Sequence, residues 1–289
     1  MQAQDPRGFR LAVRARTSGL AASDVEAALA SGELVVSWLN RGTLHLIRSS
    51  DYALLHPLTT PQLRTGNLRR LEQEGVSPRQ AERGVDLIER EAGGGPVTRS
   101  ALRDLLPGGQ ALVHLLMLAT LRGLVVRGPM VGGEQGYVLV ADWLPRDKPL
   151  PRDRALAELG RRYLAGHGPA DARDLAKWAG ITLTDARTAL ARATKPVTAT
   201  GFVAQPTLLG PFDPLLHGWA DRTPVTGEHA GIVTSNGLFR PIALVGGRAV
   251  ATWTMPKGRV ELAPFGRLSR PVRAALAAEA ADVERFLQE

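Results

Sequence analysis

The sequence predicts an α+β protein of tandem winged-helix (helix-turn-helix) modules followed by a β-rich module closed by a helix. Three observations carry this. The order helix, helix, β-hairpin occurs near the start, returns in fuller form from residue 79, and begins a third time at Arg154. The segments Ala101-Leu102-Arg103-Asp104-Leu105 and Asp171-Ala172-Arg173-Asp174-Leu175 match at an offset of 70 residues, each on the second helix of its unit. Towards the C-terminus the pattern changes to short strands separated by Gly-rich turns. The resulting division is 1–60, 61–150, 151–208 and 209–289, the first segment holding only the tail end of a winged helix.

In the first unit Asp5-Pro6 starts a helix, with Asp as N-cap and Pro at the first helical position, and the helix runs to about Arg16. Phe9, Ala12 and Val13 can face a core, while Arg7, Arg10 and Arg14 fall at i, i+3, i+7 on the other side. Ser23 caps a second helix through Ala30, with Glu26 completing a capping box. Strands over 34–38 and 43–47 flank a turn at Asn40-Arg41-Gly42, and Trp38 reads as core.

In the second unit a helix over 79–91 is closed by Gly93-Gly94-Gly95, and Thr98 caps a short helix over 100–106. Gly108-Gly109 turns into a longer helix ending near Arg122, with His114 on its apolar run as a core or interface residue. Strands over 124–127 and 137–140 are joined by a Gly-rich loop, and 145–151 is a linker. In the third unit a helix covers 154–165, Asp171 caps a helix to about Ala179, and Gly180 makes a tight turn. Thr182 or Thr184 caps a helix to Ala193, and 197–203 contributes a wing. In the last module Asn236-Gly237 marks a hairpin over 232–240. A second hairpin joins 243–245 to 248–253, a strand follows at 259–262, and Pro271 opens a helix through Leu287.

Charge and composition narrow the function. Lys and Arg number 36 against 28 Asp and Glu, a net charge of +8, and only Lys148, Lys177, Lys195 and Lys257 are lysines. Guanidinium is the better bidentate partner for phosphate, so an Arg-dominated basic surface suits nucleic acid; with abundant Ala and Gly it also fits a GC-rich genome. The excess is densest over 151–205. The absence of cysteine removes disulfides, thiolate nucleophiles, Fe–S clusters and Cys-ligated zinc. The six histidines show no close pair or His-Glu-x-x-His spacing, and there is no nucleophile elbow, P-loop or dinucleotide fingerprint. Neither a metal nor a cofactor is expected. No apolar run is long enough to span a bilayer, and the first residues lack a signal-peptide centre. The expectation is a soluble, cytoplasmic monomer with no membrane partner, nucleoid-associated when bound to DNA.

Gln2-Ala3-Gln4-Asp5-Pro6-Arg7, followed by Trp38-Leu39-Asn40-Arg41-Gly42-Thr43-Leu44-His45, closely resembles the AlkZ-type winged-helix DNA glycosylases. Leu209-Gly210-Pro211-Phe212-Asp213-Pro214, Asn236-Gly237-Leu238-Phe239-Arg240-Pro241 and Leu244-Val245-Gly246-Gly247-Arg248 are similar to further landmarks of that family. The resemblance runs from Gln2 to about Phe265. It implies a C-shaped array of winged helices plus a β module that clasps duplex DNA and excises alkylated purines, one branch unhooking interstrand crosslinks. The implied partner is double-stranded DNA carrying alkylated purines. The implied catalytic signature is Gln-Φ-Gln or Gln-Φ-Asp. Gln2-Ala3-Gln4 matches the first form, which is associated with bulky adducts and crosslinks. The family carries further helices before this motif, whereas here Met1 abuts Gln2. Either the start is assigned late or those helices are absent; if absent, Phe9, Val13 and Trp38 are expected to lack part of a packing partner, and the glutamines to lie on a frayed terminus.

The implied chemistry needs no strong base. An N7- or N3-alkylated purine is cationic and already a good leaving group, and the amide oxygens of Gln2 and Gln4 can orient a water and stabilise developing positive charge. Asp5 is either a base or the helix cap. Arg7, Arg10 and Arg14 read as phosphate or groove contacts, or as a solvated face. Arg41 and His45 touch DNA or pack structurally. Ser235 and Asn236 probe the minor groove or simply serve their turn. No lysine lies near the glutamines in sequence, so nothing marks a Schiff-base lyase. The contrary reading is a non-catalytic winged-helix DNA-binding protein, a regulator or a damage-recognition paralogue.

Overall fold

Pro6 has no N–H to leave unsatisfied and Asp5 has an oxygen to offer, and the first helix begins there. In the computed structural model, which describes residues 1–146, 148, 150–193 and 205–288, α1 spans Pro6–Arg14 and Asp5 Oδ1 accepts from the Gly8 N–H at 2.6 Å. α2 (Ala22–Ala30) starts ahead of the expected Ser23 cap. Its N-cap is Ala21, whose N–H donates to Asp24 at 2.8 Å, and Glu26 turns to Arg10 instead of closing a box. The hairpin of β1 (Leu34–Leu39) and β2 (Thr43–Arg48) runs in register from Leu34 opposite Arg48 to Leu39 opposite Thr43. Its turn puts Asn40 and Gly42 in the left-handed region. The sequence patterns assigned no element to the next stretch, which holds α3 (Tyr52–Thr59) and α4 (Arg64–Gln73).

The second unit is a helix-turn-helix with its hairpin: α5 (Pro78–Gly93), α6 (Arg99–Leu102), α7 (Gly109–Leu121), β3 (Val125–Val131) and β4 (Glu134–Leu139). The loop expected over 128–136 is mostly strand. The chain turns only at Gly132-Gly133, and an irregularity between Arg127 and Met130 absorbs Gly128-Pro129. The two hairpins join in one sheet ordered β2-β1-β3-β4, with Val36 opposite Arg127. Leu112, Leu115, Leu116 and Leu118 of α7 belong to the main core.

After α8 (Val140–Trp143) the third unit packs α9 (Arg152–His167), α10 (Ala172–Ala179) and α11 (Leu183–Arg192) around Leu159, Tyr163, Leu175 and Ala186. A Cβ on Gly160 would run into the Ala189 carbonyl, so α9 and α11 meet backbone to backbone. The wing expected over 197–203 lies outside the described residues.

The last module is a sheet ordered β5-β6-β7-β8, made of β5 (Thr207–Leu209), β6 (Ile242–Val245), β7 (Arg248–Thr254) and β8 (Glu261–Pro264). The short α12 (Thr223–Thr226) lies in the long β5–β6 connection. The Asn236-Gly237 hairpin reduces to a single bridge, Val233 opposite Phe239. α13 (Arg270–Gln288) closes the module and buries Leu276, Val283 and Phe286 in the same core as Phe9 and Leu11. Phe9 and Trp38 are thereby fully packed and Val13 rests on that core, against the expectation of a missing partner. Among the described residues no helix is long and apolar enough to cross a membrane.

Candidate active site

Residues 1–3 run as an extended segment along β2. The Ala3 N–H donates to the Leu44 carbonyl at 2.7 Å, the Leu46 N–H donates to the Met1 carbonyl at 2.8 Å, and Gln2 sits opposite His45. The glutamines are therefore held by strand pairing and are not frayed. Strand alternation explains the motif: Ala3 points into the core while Gln2 and Gln4 share the other face. Gln2 is only 7% exposed. Its Nε2 donates to Gln4 Oε1 at 2.7 Å, and its Oε1 accepts from an Arg41 guanidinium nitrogen at 3.2 Å.

Beside this pair lies a cavity of about 310 Å³, at the small end of the range for ligand pockets. Gln2, Arg41 and His45 come from the first unit, His167 and Trp178 from the third. His217 and Trp219 come from the β5–β6 connection. No carboxylate lines it, and the guanidinium of Arg16 at its edge is held by the fully buried Asp213 at 2.8 and 3.0 Å. The His167 ring stacks on Tyr163 with centroids 4.7 Å apart and meets Trp219 edge-on at 5.4 Å. A Cβ on Gly218 would press into that imidazole, so glycine lets the connection come close.

The family described as DNA glycosylase AlkZ-like matches residues 1–286. The chain belongs to the AlkZ-like DNA glycosylase family. An interstrand DNA cross-link repair glycosylase of Streptomyces sahachiroi is 26% identical, over 99% of this chain and 87% of that protein. The solved structure of Streptomyces sahachiroi DNA glycosylase AlkZ matches with a TM-score of 0.76 at 25% identity, covering 99% of this chain and 88% of that one. The winged-helix architecture read from the repeated element order is that of this AlkZ structure.

The cavity wall combines two guanidiniums, Arg41 and the Asp213-paired Arg16, with imidazoles that stay neutral. His45 Nδ1 lies 2.9 Å from the Thr43 carbonyl, so Nδ1 carries the proton and the Nε2 lone pair faces Asn40 Nδ2 at 3.5 Å. Burial holds this imidazole well below the ordinary histidine range. His167 is lowered by burial and repeats the arrangement, Nδ1 facing the Tyr163 carbonyl at 3.2 Å. His217, packed on Phe239 at 4.1 Å, is pulled down to about 3 by burial and by Arg41 and Arg222. All three are uncharged at neutral pH.

The other expected site residues separate. Asp5 is engaged as the α1 cap. Of the arginine stripe only Arg7 is exposed. Arg10 pairs with Glu26 at 3.1 Å, donates to the Pro6 carbonyl and stacks on Phe9, while Arg14 is buried against Glu279 and Asp282 at 2.9 and 2.7 Å. These two guanidiniums hold the fold together; they are not a solvated stripe. Ser235 and Asn236 occupy an exposed tip where Asn236 accepts from the Thr234 hydroxyl, away from the cavity lining. Leu238 beside them is 51% exposed. His114 is partly buried, 3.2 Å from Asn67. Sequence reasoning missed His167, Trp178, His217 and Trp219 as site residues, and no motif or periodicity marks them. Among the described residues no group of three or more His, Asp or Glu is arranged to hold a metal ion.

Proposed function

We propose that this AlkZ-like chain is a monofunctional DNA glycosylase that hydrolyses the N-glycosidic bond of cationic, N7- or N3-alkylated purines in duplex DNA, crosslinked guanines included. The observation that carries the reading is Gln2, hydrogen-bonded to Gln4, in the wall of a cavity lined by imidazoles, indoles and two arginines but no carboxylate. As the C1′–N9 bond breaks, its electron pair neutralises the purine cation, so the base leaves without an acid to protonate it. The sugar takes on oxocarbenium character. Each glutamine oxygen retains a lone pair beyond its protein hydrogen bond, enough to hold a water against C1′. The water oxygen bonds to C1′ and its proton passes to solvent, while the fixed amide dipoles stabilise the developing charge. No metal or cofactor takes part in this step.

Arg7, Arg173 and Arg187 are exposed cations suited to phosphate, and the Ser235-Asn236 tip suits a groove. The similarity to an interstrand DNA cross-link repair glycosylase of Streptomyces sahachiroi supports crosslinks as substrates. The protein would act as a cytoplasmic monomer on nucleoid DNA. The test is excision under enzyme excess from labelled duplexes carrying one N7-methylguanine or one N7-linked guanine crosslink, abasic sites being revealed by alkali. Release that disappears in the Gln2→Ala/Gln4→Ala protein while DNA binding persists supports the reading, and the absence of strand cleavage before alkali supports a monofunctional enzyme. No release by the unmodified protein, with DNA still bound, would leave the non-catalytic DNA-binding reading.

A further inference from the structure

Both terminal nitrogens of Arg41 bond inside the protein. One terminal nitrogen donates to the Trp178 carbonyl and lies 3.5 Å from that of Lys177, at the C-terminal end of α10. The other donates to Gln2 Oε1 at 3.2 Å. A guanidinium carries donors only, so the Gln2 atom facing it is the oxygen and the Gln2 nitrogen is turned to Gln4. That nitrogen donates to Gln4 at 2.7 Å, so the Gln4 atom facing it is also an oxygen, and the Gln4 nitrogen points away. Without the cation, the Gln2–Gln4 pair alone leaves the direction of both amides open.

We infer that Arg41 is a positioning residue for the Gln-Φ-Gln pair, fixing the direction of both amides from a seat on the third unit. The inference rests on the glycosylase reading above. The seat itself is built. The last carbonyls of a helix carry partial negative charge and attract a guanidinium. α10 ends at Gly180 with φ of 68°, and a Cβ there would lie 2.9 Å from the backbone nitrogen of Arg41, so the glycine lets the Asn40-Arg41 turn reach the helix end. Gln62 donates to the Gly180 carbonyl at 2.9 Å and closes the same junction from the other side. The α10–Gly180–α11 turn, the helix-turn-helix of the third unit, is thus tied through one side chain to the motif on the first.

Single-turnover excision of N7-methylguanine, run across enzyme concentrations, separates the saturating rate from the half-saturating concentration. For Arg41→Ala the saturating rate is expected to fall about 10²-fold, the cost of misplacing a positioned group by about 1 Å. Half-saturation and the slope of log affinity against log salt stay as in the unmodified protein. Sub-denaturing guanidinium ion restores part of the lost rate, and methylammonium does not. A phosphate contact behaves oppositely, reducing the salt slope by about 1 and sparing the saturating rate. That result, or an unchanged saturating rate, overturns the inference. Arg41→Met keeps the aliphatic stem and carries the rate and salt readouts if Arg41→Ala does not fold. Failure of the unmodified protein to excise would sink the glycosylase reading itself, a separate outcome.

Discussion

Replacing Arg14 by Met removes a side chain that is 5% exposed and ties the first helix to the last. Its guanidinium donates to Glu279 at 2.9 Å, Asp282 at 2.7 Å and the Leu208 carbonyl at 2.9 Å. Removing one partner of a fully buried ion pair costs about 3–5 kcal/mol, because the other charge is stranded. Here the carboxylates are 25% and 40% exposed. Each also keeps a second donor, the Leu208 N–H at 3.0 Å for Glu279 and Arg285 at 2.8 Å for Asp282. Partial solvation brings the expected loss to about 2–3 kcal/mol. Urea unfolding reads it directly, with Trp253 as a local reporter, since its indole N–H donates to the Leu209 carbonyl next to this junction. DNA affinity and its salt slope should not change. A stability loss under about 1 kcal/mol, together with a salt slope reduced by about 1, would refute the structural role and return Arg14 to the DNA interface.

The buried histidines fix the sign of the pH dependence. His45, His167 and His217 titrate below their unfolded values, so on acidification the unfolded chain takes up protons first, and stability falls as pH drops from about 6.5. With His217 at about 3, that residue alone should cost about 2 kcal/mol at pH 5, read from urea midpoints. The single-turnover excision rate should be flat between about pH 6 and 8, and a limb near 6.5 would mean that an imidazole acts as acid or base. Gly160→Ala forces a methyl into the Ala189 carbonyl and should cost about 1–3 kcal/mol, seen as early melting of the third unit by circular dichroism. Gly180→Val adds left-handed strain of about 1–2 kcal/mol to a clash at Arg41. It should slow excision at saturating enzyme; a full rate would show that the α10 junction does not matter to the site.

Much of the fold was legible because its signals are local. Asp5-Pro6, Thr98 and Asp171 cap helices where the sequence placed caps, Thr182 is the one of the two candidate threonines that caps α11, and the turns at Asn40-Arg41-Gly42 and Gly246-Gly247 marked the hairpins β1–β2 and β6–β7. The missed helices lack those signals: α3 carries Pro57 inside it, and α4 buries only Asn67 and Leu71, too little to print an apolar stripe. The arginine stripe misled for a different reason. Helical spacing shows that Arg7, Arg10 and Arg14 share a side, but the carboxylate that claims Arg14 lies 268 residues away. At the candidate site, the proposed Gln2-Ala3-Gln4 motif could be read from sequence because it is local. The wall formed by His167, Trp178, His217 and Trp219 could not, since it is assembled from two separate stretches of chain brought together by the packing of α9, α10 and the β5–β6 connection.

On the proposed reading, that assembly bears on how the site would work with amides. A glutamine is a weak acceptor, and its value as a dipole depends on which end faces the reacting centre; a free side chain samples both. Strand pairing of residues 1–3 with β2 sets where Gln2 and Gln4 stand, but it leaves their terminal torsions open. The Gln2 torsion is closed by a guanidinium held on α10, and the Gln4 torsion by Gln2 in turn. On the proposed reading the substrate brings its own positive charge, so a fixed dipole suffices where a neutral base would demand an acid. The requirement then moves from acidity to geometry. An enzyme of this design would lose its rate when the junction between first and third units loosens, even while its grip on DNA is intact.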